Sequence, residues 1–141
     1  MYSIKIEASF SAAHNLKGYK GKCEELHGHN WKVEVTAEND TLDKIGMVLD
    51  FKYLKMKLNK ILERLDHKYL NRIPYFSASG GKKVNPALSK IKKPYRLRKG
   101  GVNPTSENIA KYIYIIIKSQ IPLVKSVTVW ESDNSSATYY D

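Results

Sequence analysis

All four histidines of this 141-residue chain, and its single cysteine, fall in three short stretches: Phe10-Ser-Ala-Ala-His14, Cys23-Glu-Glu-Leu-His27-Gly-His29 and Leu65-Asp66-His67. These are the residue types that bind metal ions and carry protons. A His-x-His pair with a third histidine nearby offers three neutral nitrogens and leaves one coordination position open. That is the ligand set of a catalytic zinc site rather than of a closed structural one. Cys23 has three readings: a fourth zinc ligand, a buried inert thiol, or a thiolate whose pKa of about 8.5 is lowered by a nearby cation. Asp66-His67 has two: a local ion pair at a helix end, or an imidazole oriented by a carboxylate for acid/base work.

The elements that must position these residues are legible. Residues 2–14 alternate, with Ile4, Ile6, Ala8, Phe10 and Ala12 on one side, which predicts a half-buried strand. Residues 27–38 alternate again through Trp31, Val33, Val35 and Ala37, and the two strands suit an antiparallel pair. Residues 51–65 switch to a helical period, with Phe51, Leu54, Leu58, Ile61, Leu62 and Leu65 on one face and Asp50 as the expected N-cap. A second helix is expected over 106–119, with Ile109, Ile113, Ile116 and Ile117 inward, started by Pro104-Thr105-Ser106-Glu107. Two strands, 125–131 and 137–140, close the chain around a turn at Asp133-Asn134-Ser135. Parity then carries the chemistry. His14 shares parity with Phe10, and His27 and His29 share parity with Trp31, so all three imidazoles extend the apolar face. A polar group without a partner there is costly, and convergence on one cation removes that cost.

Length and mean hydropathy of −0.48 suit one globular domain spanning 1–141. No stretch approaches the ~20 apolar residues of a membrane helix. The start, Met-Tyr-Ser-Ile-Lys-Ile-Glu, lacks a signal-peptide core, and a single cysteine forms no internal disulfide; both point to a reducing cytoplasm. The net charge of +10 looks like a nucleic-acid signal. Eight of those charges lie in a segment at about 77–102 that has no acid, and removing them leaves +2. The segment, rich in Gly and Pro, reads as a basic loop insertion. It is either a solvated loop or a means of steering an anionic substrate.

Taken together, Phe10-Ser-Ala-Ala-His14, Cys23-x-x-x-His27-Gly-His29, Gly46-Met-Val-Leu-Asp50-Phe51, Leu65-Asp-His-Lys-Tyr-Leu-Asn71, Asn103-Pro-Thr-Ser-Glu-Asn108 and Glu131 resemble the 6-pyruvoyltetrahydropterin synthase family. The resemblance covers nearly all of the chain outside the insertion. It implies an α+β tunnelling fold, ββααββ, with a four-stranded antiparallel sheet and two helices packed on one face. It implies Zn2+ held by His14, His27 and His29, with Cys23 as the catalytic thiol and Asp66 and His67 as an acid/base relay. It places Glu131 on the pterin ring, with Thr105, Ser106 and Glu107 lining the pocket. Homohexamers, built as two stacked trimers with active sites between subunits, are implied too.

The three-residue gap between Cys23 and His27 resembles the branch that makes 6-carboxy-5,6,7,8-tetrahydropterin in the queuosine and archaeosine pathways. That branch converts 7,8-dihydroneopterin triphosphate and releases acetaldehyde and triphosphate. Glu24, beside Cys23, resembles instead a branch that cleaves dihydroneopterin for folate synthesis, or a bifunctional type. A pyruvoyl-type reaction is a further alternative. A zinc-bearing scaffold that binds RNA through Tyr95, Arg96, Arg98 and Lys99 is an alternative of another class. It leaves Cys23 and Asp66-His67 without a purpose, so a nucleic-acid partner is not expected.

Overall fold

The computed structural model describes residues 1–77 and 101–141. All but the ends of the basic insertion expected at 77–102 lies outside the described residues. Elements follow in the order β1 (Tyr2–His14), β2 (His27–Asn39), α1 (Phe51–Leu62), β3 (Lys68–Tyr69), α2 (Ser106–Gln120), β4 (Val124–Ser132) and β5 (Ser135–Tyr140). Short 3-10 turns occupy Lys22–Glu24 and Leu70–Arg72. The sheet order is β3-β1-β2-β4-β5. Four strands pair antiparallel, as their alternation predicts. The fifth, β3, runs parallel to β1, so the sheet is one strand wider than the four expected. Its cause is local. His67 adopts a φ of 56° and turns the chain after α1, its N–H donating to the Ser11 carbonyl at 2.6 Å. Lys68 and Tyr69 are thereby laid beside Ala12 and Ala13.

The alternating residues divide as expected. Ile6, Phe10, Trp31, Val33, Val35, Val127 and Val129 are buried on one face, beneath the helices. The other face is polar, with a Lys5–Glu34 ion pair at 3.4 Å and a Thr128–Thr138 hydroxyl pair at 2.7 Å. The α1 helix starts where Asp50 accepts the Lys52 N–H at 2.7 Å, and it buries Leu54, Leu58, Ile61 and Leu62. Phe51 departs from expectation. Its angular position is right, but it is the first helical residue and stays 56% exposed, lining a groove with Tyr2, Ile4 and Met47 instead of entering the core. The α2 helix starts where the Thr105 hydroxyl accepts the Asn108 N–H, and it buries Ile109, Ile113, Ile116 and Ile117. No helix among the described residues is long and apolar enough to cross a membrane.

The two ends of the α1 stripe make a paired test. Leu54→Ala should cost about 2–5 kcal/mol, since Leu54 is fully buried. Phe51→Ala should cost less than about 1 kcal/mol. Urea denaturation midpoints check both, and equal losses would place Phe51 in the core.

Candidate active site

The β1–β2 register sets His14 opposite His27, Ala12 opposite His29 and Phe10 opposite Trp31. The three imidazoles therefore share the core-facing side at the end of the hairpin. His14 is 1% exposed, while His27 and His29 are half-buried. Trp31 forms the floor. It is fully buried, and the His14 and His29 rings meet it edge-on at 4.9 and 5.0 Å. Its indole N–H donates to the Ala12 carbonyl at 3.2 Å, so no polar group of the floor is left unpaired.

Hydrogen bonds decide which nitrogens are free. The Nδ1 of His14 lies 2.7 Å from the Pro104 carbonyl, and the Nδ1 of His27 lies 2.7 Å from the Glu25 carbonyl. A carbonyl only accepts, so both Nδ1 atoms carry the proton. In a neutral imidazole that leaves a lone pair on Nε2. Those two Nε2 atoms face each other at 3.0 Å. Two lone pairs so placed repel unless a cation or a proton lies between them. The Nε2 of His29 is buried with no hydrogen-bond partner among the described residues. Burial and mutual repulsion lower the pKa of His14, against the pull of Pro104 and Glu131. Burial likewise lowers that of His29. Both shifts favour the neutral imidazole, the state that binds metal.

The fourth member of this group is Glu131. Ligand atoms of His14, His27, His29 and Glu131 all lie within 4.8 Å of one another, a set that could hold a metal ion. The donor set fits a divalent cation: three lone pairs, one carboxylate, and carbonyl hydrogen bonds that fix two of the rings from behind. Glu131 Oε1 is 3.5 Å from His29 Nε2, and Oε2 accepts the Ser106 hydroxyl at 3.3 Å. Ser106 and Glu107 sit in the first turn of α2, with Thr105 as its cap. Cys23 and Glu24 share the 3-10 turn of the β1–β2 loop. Cys23 is half-buried and is not part of the metal-ligating group.

Asp66 and His67 stand at the other side of the hairpin end. Asp66 Oδ1 accepts the Ser11 N–H at 2.9 Å, and Asp66 Oδ2 lies 3.0 Å from His67 Nδ1. The Ser11 N–H, and then the imidazole, hold the Asp66 carboxyl below its ordinary value. His67 is 82% exposed and borders a cleft of about 540 Å³ that His29 and Tyr69 also line. Sequence reasoning missed the carbonyls of Pro104 and Glu25 and the backbone of Ser11. No side-chain type signals a backbone acceptor. It also assigned Glu131 to ligand binding without its closeness to the histidines.

A model of the family described as 6-pyruvoyl tetrahydropterin synthase matches residues 3–141. The chain belongs to that family. It is 33% identical to a Haemophilus influenzae 6-carboxy-5,6,7,8-tetrahydropterin synthase, covering all of both chains. It is 33% identical to a Pyrococcus furiosus dihydroneopterin monophosphate aldolase, covering 92% of this chain and 90% of that one. The Caenorhabditis elegans 6-pyruvoyl tetrahydropterin synthase structure superposes with a TM-score of 0.73 at 26% identity, over 99% of this chain and 95% of that one. The tunnelling fold expected from the motifs is thus the fold of this synthase family.

Two predictions follow from the geometry. A divalent cation added to chelator-treated protein should raise its melting temperature, by about 4 kcal/mol of stability at a thousandfold excess over Kd. His27→Ala should abolish most of that response, and an unchanged response would place the metal elsewhere. The depressed Asp66 pKa contributes stability above the ordinary carboxylate value, and that stability is lost as pH falls through the native value. Asp66→Asn should therefore be less stable than wild type at neutral pH, with the gap closing in strong acid. Denaturant midpoints across the acid range check the sign.

Proposed function

We propose that the protein is a zinc-dependent 6-carboxy-5,6,7,8-tetrahydropterin synthase. As such it is a lyase that converts 7,8-dihydroneopterin triphosphate to 6-carboxytetrahydropterin, acetaldehyde and triphosphate, on the way to queuosine or archaeosine precursors. The observation that carries this reading is the facing pair of imidazole lone pairs, in a chain that aligns end to end with the H. influenzae enzyme. Three imidazoles with an open position suit Zn2+, which as a Lewis acid acidifies substrate hydroxyls and the C–H bonds beside them.

The chain's own residues supply the rest. A pterin presents a guanidine-like edge of N–H donors, which the Glu131 carboxylate can accept in paired fashion. Ser106 fixes one of its oxygens. Thr105 and Glu107 frame the same end of α2, where Glu107 also favours the helix dipole. Cys23 and His67 serve as the proton-transfer pair. Asp66 keeps the His67 proton on Nδ1, leaving Nε2 to take or give a proton. A proton-transfer imidazole that is 82% exposed has little shelter within one chain. Active sites formed between subunits of a stacked-trimer hexamer would cover it.

A second reading rests on Glu24. It follows Cys23 in the same turn, and a relative of equal identity is named as an aldolase. In that reading Glu24 takes part in cleaving the dihydroneopterin side chain. The product separates the two: acetaldehyde from the triphosphate supports the first reading, and glycolaldehyde supports the second. Cys23→Ala should lower turnover of the triphosphate by at least about 100-fold while zinc content stays at wild-type level. Loss of zinc in that variant would make Cys23 a ligand and remove its proposed role.

A further inference from the structure

Asn71 and Asn103 are not among the residues assigned a part in the chemistry, yet each grips the loop that carries Cys23 in the same manner. The Asn71 carboxamide accepts the Asn15 N–H at 3.0 Å and donates to the Asn15 carbonyl at 2.9 Å. The Asn103 carboxamide accepts the Lys17 N–H at 2.9 Å and donates to the Lys17 carbonyl at 2.9 Å. Each amide thus pairs with both backbone groups of one residue, as a neighbouring strand does in a hydrogen-bonded pair. Asn15 and Lys17 alternate with Leu16, and the Leu16 N–H donates to the Cys23 carbonyl at 2.8 Å. The amides therefore hold Asn15 and Lys17, and Leu16 between them holds Cys23.

The amides are themselves anchored. The Asn103 carbonyl accepts from the Asn108 side chain at 2.8 Å and from the Thr105 N–H at 2.8 Å, which ties it to the capped start of α2. The next residue, Pro104, holds the His14 ring through its carbonyl. Asn71 lies in the 3-10 turn directly after β3, and the Tyr69 hydroxyl also donates to the Asn15 side chain.

We infer that Asn71 and Asn103 are positioning residues for Cys23: two carboxamide clamps that set the loop thiol relative to the histidine cluster. The inference deepens the proposed pterin chemistry and rests on that reading for its catalytic consequence, though not for the clamp itself. Only an amide fits this task. It offers one acceptor and one donor in a plane, whereas the isosteric carboxylate has no donor for the Lys17 or Asn15 carbonyl. Aspartate at either position leaves that carbonyl facing an anion, and the loop loses its register.

Cys23 is the single cysteine of the chain, so its alkylation by iodoacetamide reports the loop alone. Asn71→Asp, Asn103→Asp and the matching Ala variants, loaded with zinc, should each change the alkylation rate by about fivefold or more, because Ala removes two neutral hydrogen bonds while Asp removes one and sets an anion against the freed carbonyl. Zinc content should be unchanged. For the triphosphate substrate kcat should fall while KM stays within about twofold, because the Glu131 end of the pocket is untouched. The isosteric Asp variants keep the test valid if an Ala variant fails to fold. Wild-type alkylation rates in both folded Asp variants would overturn the clamp. A changed alkylation rate with Cys23→Ala still active would support the clamp and sink the catalytic role of Cys23. A fall in kcat matched by loss of zinc would overturn the inference, because the asparagines would then act on the metal site.

Discussion

The Nε2 atoms of His14 and His27 face each other at 3.0 Å, with their ring protons already spent on carbonyls. Much of the molecule is arranged around that repulsion. A lone imidazole on an apolar face can find a hydrogen-bond donor or shift its ring. Two held from behind by carbonyls cannot, and the third ring has a buried Nε2 with no hydrogen-bond partner among the described residues. A cation held there would convert the conflict into attraction, and the group could hold one. Burial lowers the His14 and His29 pKa values, so a proton is a poor substitute for that cation near neutral pH.

The surrounding structure maintains the constraint from two directions. Trp31 blocks the rings from sinking into the core, and it stacks in turn on Phe10 with a 9° interplanar angle. From above, a few residues at the start of α2 touch nearly every part of the site. Pro104 binds His14, Asn103 binds the Cys23 loop, and Ser106 binds Glu131. The helix beneath them is locked by four buried isoleucines. Core packing far from the chemistry is thus transmitted to the site through a helix N-terminus. Local geometry at the rim depends on the stability of the helix–sheet sandwich.

Asp66 and His67 show the same economy at the other edge. The turn that ends α1 needs a positive φ at His67, an uncommon conformation for a side chain of that size. The His67 N–H, donating to the Ser11 carbonyl, and the Asp66 carboxylate, accepting the Ser11 N–H, hold it there. The local ion-pair reading and the acid/base reading are therefore not rivals in space. The carboxylate that secures the turn on β1 is the one that orients the imidazole.

Fold and site were legible to different depths, and the reason is range. Strand and helix periods are local, so burial of Trp31, Leu54 and Ile113 and the shared face of His14, His27 and His29 follow from the order of residues alone. Parity even survives pairing, because a hairpin register that buries one face fixes which side every second residue takes. Phe51 escaped that logic because a period gives an angle around a helix and not whether anything lies opposite its end. β3 escaped because two residues have no pattern. The remaining features join segments far apart in the chain through the backbone: His14 to Pro104, Ser11 to Asp66, Lys17 to Asn103. A carbonyl or N–H is carried by almost every residue, so no residue type advertises that it will be used. Residue order settles which side chains could do chemistry and which face they share. Tertiary packing alone decided which of their atoms are left without a partner, and it is those atoms that make the site.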